Sequence, residues 1–348
     1  MKEIRIKTTR EYSVLVGHGA VAELPQRLPA LTSARRLLIV TDDNVAPLHL
    51  PALEQQLTGY ELHHLVLPHG EEHKNLDTIV DILTCLKSCG FDRNDLVIAL
   101  GGGVVGDMAA FAASIYMRGI SFINIPTTLL AQVDSSVGGK TGVDFGGAKN
   151  IVGSFHQPLL VICDTAYLST LPPAVFADGC AEVIKYAFID DAELLELIDR
   201  GIAANIEAVV SRCVENKGRI VAGDEADRGQ RALLNLGHTV GHAVEALSDY
   251  QISHGSAVAI GLHVITAAAE QAGLCEAGVQ QRLAATLSAN NLPLACPYGA
   301  EALLERIRSD KKVSGDGISV ILPQKMCSSR IEKMSFDQLL TLLKGVLA

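Results

Sequence analysis

The 348-residue chain carries 29 Lys and Arg against 39 Asp and Glu, a formal net charge of −10, and so acidic a chain is ill suited to nonspecific binding of nucleic acid or of an anionic membrane surface. At about 100–200 residues per domain, the length fits two domains or one large one. Apolar residues reach 48%, enough to fill a core, while aromatics are 4% and Trp is absent, so base-stacking platforms are not expected.

The first residues, Met1-Lys2-Glu3-Ile4-Arg5, are polar and alternating and lack the run of about 7–15 apolar residues of a secretory signal. Strands are expected at 12–16, 37–41, 62–67, 95–100, 121–125 and 159–163, each short and rich in Val, Ile and Leu as buried parallel strands are. Helical patterns lie between them; over 74–89, Leu76, Ile79, Val80, Leu83 and Leu86 fall at helical spacing. This alternation predicts an α/β domain on a mostly parallel sheet. The most apolar window, 96–115, holds Asp107 near its centre and glycines bunched at one end, so strand, glycine turn and helix describe it better than a membrane span. Beyond about residue 165 helical patterns dominate, at 178–189, 192–200, 203–222, 232–248, 255–273, 276–290, 299–309 and 335–346, with one apolar run, 318–322, suited to a small ribbon. The period changes near Leu168-Ser169-Thr170-Leu171-Pro172-Pro173, which divides the chain into 1–167 and 168–348. The eight cysteines form no Cys-x-x-Cys pair and no zinc-ribbon spacing, and read as buried reduced thiols of a cytoplasmic protein.

Three constellations carry chemistry. In the first, Gly101-Gly102-Gly103-Val104-Val105-Gly106-Asp107 lies between an expected strand and an expected helix and matches G-x-G-x-x-G. Glycines let a phosphate approach the backbone, and the helix start offers free N–H groups and a positive dipole end. The acid that a dinucleotide fingerprint places about 20 residues further on is missing, because the next strand ends in Pro126-Thr127-Thr128. Asp42-Asp43-Asn44, Glu71 and Lys74 are the alternative contacts for a nucleotide.

In the second, Arg231, Asn235, His238, His242 and Glu245 are spaced 4, 3, 4 and 3 among Leu, Val, Ala and Gly, which predicts one polar helical face. Two imidazoles at i, i+4 suit a metal, and His254 and Glu182 offer a further imidazole and a carboxylate. Spacing alone leaves open whether His238 or His242 joins His254. Glu182 and Lys185, at i, i+3 on an apolar pattern, are costly to bury unless paired or ligated. In the third, Arg118 and the 126–150 stretch, dense in Gly, Ser, Thr and Lys, read as a long functional loop whose Lys140, Lys149 and Asn150 suit phosphate.

The segments 101–107, 118–119, 126–140, 149–150, 181–186, 234–242 and 254–255, in this order, resemble the 3-dehydroquinate synthase family. The run Pro126-Thr127-Thr128-Leu129-Leu130-Ala131-Gln132-Val133-Asp134-Ser135-Ser136-Val137-Gly138-Gly139-Lys140 and the run Leu234-Asn235-Leu236-Gly237-His238-Thr239-Val240-Gly241-His242 are long enough to exclude chance. The resemblance implies a Rossmann-like α/β N-terminal domain, an all-α C-terminal domain, and a cytoplasmic homodimer without nucleic-acid or membrane partners. It implies a carbon–oxygen lyase dependent on NAD and on Zn2+ or Co2+. That enzyme turns 3-deoxy-D-arabino-heptulosonate 7-phosphate into 3-dehydroquinate and phosphate by oxidation, β-elimination, reduction, ring opening and aldol closure.

Carried over residue by residue, the resemblance makes Glu182, His238 and His254 the metal ligands. It gives the substrate carboxylate to Lys217 and Arg231. The phosphate falls to Lys140, Asn150, Asn235 and Lys311 or Lys312, with Arg118 reaching in from the partner subunit. Asp134, Lys185 and His242 take the ring hydroxyls. NAD falls to Asp42, Asn44, Glu71, Lys74, Gly102, Gly103, Asp107, Thr127, Thr128 and Lys149. Ser256, Asp144 and His156 depart from the family's usual Glu, Asn and Tyr. The rivals are another sugar-phosphate cyclase, in which the Asn235 or His242 position changes, and a metal-dependent glycerol or alcohol dehydrogenase, which lacks the Lys149, Asn150 and Arg231 anion set. A non-enzymatic scaffold would not need Glu182, His238 and His254 together.

Overall fold

The computed structural model describes residues 1–309 and 317–347. It divides into two compact units, Met1–Pro172 with Val214–Ala226, and Pro173–Cys213 with the described residues from Asp227 onward. The segment Val214–Ala226, beyond the boundary read from the sequence, groups with the first unit.

The first unit is built on strands β1 (Lys2–Ile6), β2 (Tyr12–Gly17), β3 (Arg36–Asp42), β4 (Glu61–Leu67), β5 (Leu96–Gly101) and β6 (Ser121–Pro126), a hairpin of β7 (Lys140–Phe145) and β8 (Ala148–Phe155), and β9 (Leu160–Asp164). Seven of these form one sheet in the order β1-β2-β9-β6-β5-β3-β4. The edge strand β1 runs antiparallel to β2, and the other pairings are parallel. Helices α1 (Leu24–Leu31), α2 (Ala46–Gln56), α3 (Leu76–Ser88) and α4 (Gly103–Ile115) join the strands. The central strands are mostly apolar because both faces are covered. Leu38, Val40, Val97 and Ala99 pack with α3 and α4, and Leu37, Ile39, Ile98 and Leu100 pack with α1 and α2.

The structure corrects the reading of 126–150 as a long loop. Residues Ala131–Ser135 form a π-helical turn, and β7 pairs with β8 across Gly146-Gly147. Both of those glycines have positive φ, 60° and 79°, as a two-residue hairpin turn of type I′ requires. Lys140, Lys149 and Asn150 therefore stand on paired strands.

The second unit is helical: α5 (Pro173–Asp190), α6 (Ala192–Asp199), the start of α7 (Ile206–Gly223), α8 (His238–Leu247), α9 (His254–Gln271), α10 (Val279–Ala289), α11 (Ala300–Arg308) and α12 (Phe336–Lys344). The ribbon expected near 318–322 is present as β10 (Gly317–Lys325) paired antiparallel with β11 (Ser328–Ser335). Glycines set the close helix crossings. A Cβ on Gly255 would lie 2.0 Å from the Asp178 carbonyl oxygen of α5, and one on Gly261 would lie 2.0 Å from the Gly237 carbonyl oxygen. Among the described residues no helix is long and apolar enough to cross a membrane.

Candidate active site

In the second unit, α5 is apolar over most of its length, yet it carries Glu182 and Lys185, which are 0% and 1% exposed. One turn apart, the two form an ion pair. The expectation of a single helix from 232 to 248 fails here. Arg231 and Asn235 lie on a 3₁₀ segment, Gln230–Asn235, and Gly237 at φ 79° breaks the chain before α8 starts at His238. The break swings His238 toward α5, with its Nε2 3.2 Å from Glu182 Oε1. From the first residue of α9, His254 places its own Nε2 3.3 Å from the same oxygen. Asp178 of α5 fixes that helix start by accepting hydrogen bonds from the Ser253 hydroxyl and the Ser256 N–H. Ser256, a departure from the family pattern, thus binds through its backbone, with its hydroxyl 2.9 Å from that of Ser253.

Burial works against a charge on Glu182, but Lys185 and His238 outweigh it and hold the carboxyl well below its usual range. Burial also opposes a charge on His254, but the Glu182 and Glu245 carboxylates carry its pKa up to about 10. A carboxylate with no exposure, whose oxygens have no hydrogen bond of good geometry, therefore faces two imidazole nitrogens. This donor set fits a divalent cation: two nitrogens and one carboxylate, with positions left for substrate or water. Glu182, His238 and His254 offer ligand atoms within 4.8 Å of one another, as do His242, Glu245 and His254. The first set turns two Nε2 atoms on one carboxylate oxygen, whereas in the second Glu245 meets Nδ1 of His254 at 3.1 Å. The third imidazole, His242, packs edge-on to His238 with ring centres 5.2 Å apart. Arg231 is 2% exposed and Asn235 is half-buried.

In the first unit, the glycine turn joins β5 to α4 and is pressed against its neighbours. A Cβ on Gly101 would meet Val105 at 2.6 Å, one on Gly102 would meet Thr128 at 3.2 Å, and one on Gly103 would meet Ser135 at 3.1 Å. Thr127 donates its N–H to the Gly101 carbonyl at 2.9 Å, and its buried hydroxyl has no hydrogen-bond partner. No side chain caps α4. Bare glycines, an uncapped helix start and an unsatisfied hydroxyl fit a phosphate group of a dinucleotide.

Around the turn, Lys74 donates to Asp107 at 2.7 Å, and Lys149 lies 3.5 Å from Glu71. Burial opposes the charge on Lys74, but Asp107 and Glu71 outweigh it and raise its pKa. Asp42, at the end of β3, spends Oδ1 on the N–H groups of Asn44 and Val45. Asp144 accepts the N–H of Asn150, which holds a left-handed φ of 53°. Its Oδ1 does here what an Asn carbonyl would also do. His156 bonds through Nε2 to the Ile120 carbonyl and stacks on Phe122. Lys217 donates to the Asp134 carbonyl at 2.7 Å and lies 3.0 Å from its carboxylate. Lys140 and Arg118 are exposed, and Arg118 stands on a left-handed turn with φ 70°. Lys311 and Lys312 lie outside the described residues.

Sequence reasoning gave no role to Asp178 and left Glu245 as a bare member of the stripe. The signal for Glu245 was its helical phase with His238 and His242. Asp178, at the other end of a long-range contact, had none.

Comparisons with known proteins identify the family. Residues 64–178 match the family model for the 3-dehydroquinate synthase N-terminal domain, and residues 179–313 match that for its C-terminal domain. A 3-dehydroquinate synthase of Rhizobium meliloti (strain 1021) is 43% identical over 331 residues, covering 90% of this chain and 88% of the relative. Among solved structures, a 2-deoxy-scyllo-inosose synthase complexed with carbaglucose-6-phosphate, NAD+ and Co2+ superposes with a TM-score of 0.89 at 22% identity, covering 99% of each chain. The 2-epi-5-epi-valiolone synthase of Streptomyces hygroscopicus subsp. jinggangensis 5008, with NAD+ and Zn2+ bound, gives 0.87 at 27% identity, covering 98% of each. With its family models and a close relative spanning most of its length, the chain belongs to the 3-dehydroquinate synthase family.

Proposed function

We propose that this chain is a cytoplasmic, homodimeric carbon–oxygen lyase that converts 3-deoxy-D-arabino-heptulosonate 7-phosphate into 3-dehydroquinate and phosphate. The observation that carries this reading is the convergence of His238 and His254 on the buried Glu182, in a chain 43% identical to a 3-dehydroquinate synthase. When bound, NAD and Zn2+ or Co2+ supply a reversible hydride exchange at a secondary carbinol and polarisation of its oxygen.

The chain's residues do the rest. Glu182, His238 and His254 hold the metal. Asp42, Asn44, Glu71, Lys74, Gly102, Gly103, Asp107, Thr127, Thr128 and Lys149 hold NAD, with its phosphates at the glycine turn. Arg231 and Lys217 bind the substrate carboxylate, and a guanidinium and an ammonium anchor an anion at fixed points. Lys140, Asn150, Asn235, a lysine of 311–312 and Arg118 of the partner subunit bind the phosphate. Asp134, Lys185 and His242 orient the ring hydroxyls. The carbinol once oxidised, the carbon beside the ketone loses its proton as the C–O bond to phosphate breaks. The departing phosphate is basic enough to take that proton, so a dedicated protein base is not required. Fixed cations stabilise the charge on the leaving group, the kind of preorganisation that dominates many catalysed eliminations.

The test is direct. The purified chain with substrate, NAD and zinc should release phosphate with no net NADH. NADH accumulating without phosphate release would replace this reading with a dehydrogenase.

A further inference from the structure

The two imidazoles that face Glu182 are oriented by different means. His238 is held by a backbone group, its Nδ1 3.1 Å from the Leu236 carbonyl, next to the left-handed Gly237. His254 is held by a side chain, its Nδ1 3.1 Å from Oε2 of Glu245. Glu245 is 2% exposed and sits two turns into α8, nine residues before its partner. Its backbone is also pinned, because the carbonyl accepts the N–H of Tyr250 at 2.9 Å and the hydroxyl of Ser248 at 2.8 Å. Asp249 and Tyr250 follow at φ 50° and 60°, two consecutive non-glycine residues in the left-handed region. Such a turn is costly and persists only where the surroundings enforce it. It returns the chain from α8 to the start of α9, where His254 meets the Glu245 carboxylate.

We propose that Glu245 is the positioning residue of the metal centre: its carboxylate accepts the Nδ1–H of His254, turns Nε2 toward the metal position beside Glu182, and makes that nitrogen a stronger donor once the metal has displaced its proton. The inference rests on the reading of Glu182, His238 and His254 as ligands, and it adds a fourth protein group that does not touch the metal. A carboxylate behind a ligating imidazole raises the basicity of the ligand, and loss of such a partner costs about 10–100-fold in metal affinity. The peptide carbonyl behind His238 serves the same geometric purpose without the charge, so His254 is the ligand that substitution can tune.

The experiment measures Zn2+ and Co2+ affinity of the metal-free full-length protein by competition with a chromophoric chelator, for the native chain, Glu245→Gln, Glu245→Ala and Glu245→Asp. Glu245→Gln keeps an acceptor of the same length but removes the charge; about tenfold weaker binding and a shifted visible spectrum of the Co2+ form are expected. Glu245→Ala removes the acceptor and should lose up to about 100-fold. Glu245→Asp, charged but shorter, should fall between native and Ala. NAD affinity and the thermal midpoint of the metal-free Gln variant should match the native chain, which a merely structural role would not leave unchanged. Native affinity and an unchanged Co2+ spectrum in the Gln and Ala variants would overturn the proposal. Two metal ions per native chain would also overturn it, by making Glu245 a ligand with His242. A native chain that binds no divalent metal would remove the reading beneath it instead.

Discussion

The glycine turn of the first unit and the histidine cluster of the second are built on opposite principles. The turn is made of backbone: three glycines, an uncapped helix start and a neighbouring strand end, with side chains such as Thr128 and Ser135 pressed so close that a Cβ at Gly102 or Gly103 has little room. The cluster is made of side chains from three helices that meet on one buried carboxylate. Backbone sites depend on where the chain can pass. Side-chain sites depend on what holds each side chain, here Leu236 behind His238, Glu245 behind His254, and Asp178 at the start of the helix that carries His254.

That difference predicts where each site breaks. The largest effect is expected from emptying the cluster: stripping the metal with a chelator, or His238→Ala, should cut phosphate release about 1,000-fold, the several kcal/mol that metal polarisation supplies. NAD affinity should survive, because the turn is a separate construction, and parallel loss of NAD affinity would merge the two regions. Arg231→Ala should lower kcat/KM about 30-fold or more, since a buried charged contact is worth about 2–5 kcal/mol, while metal content stays native. Native kinetics in that variant would show that Arg231 does not hold the substrate carboxylate.

A smaller effect tests the helix crossings. Gly261→Ala puts a methyl 2.0 Å from the Gly237 carbonyl oxygen. Because the obstacle is backbone, it should cost at least about 1–3 kcal/mol in denaturant unfolding, together with metal affinity, since Gly237 directs His238. The smallest effect is expected at Asp144→Asn. The amide oxygen can still accept the Asn150 N–H, so stability should move by less than about 0.5 kcal/mol and turnover less than about twofold, as steady-state rates would show. A large loss would give the Asp144 charge a role beyond that hydrogen bond.

The same contrast explains what was legible in the sequence. The buried parallel strands announce themselves as apolar runs, and β3, β5, β6 and β9 lie within a residue of their expected places. The glycine turn was legible because its glycines are adjacent in the chain. The hairpin at 140–155 was not, because Lys140, Thr141, Asp144, Lys149 and Asn150 dilute the alternation; its one clear signal was Gly146-Gly147. The polar stripe is divided in the structure: His238, His242 and Glu245 share α8, while Arg231 and Asn235 stand on the 3₁₀ segment before it. An isolated glycine in a helical period reads as a tolerated helix residue, and nothing local tells that Gly237 adopts φ 79°. Asp178 lies 75 residues from Ser253, and no local pattern links such partners.

The most direct test of the account is to titrate metal-free protein with Zn2+ in the presence of NAD and the heptulosonate phosphate substrate, following phosphate and NADH together. One equivalent of metal per chain should restore phosphate release with no net NADH, and Glu182→Gln should stay inactive at that metal concentration. Full phosphate release without added metal, or from the Glu182→Gln variant at one equivalent, would contradict it.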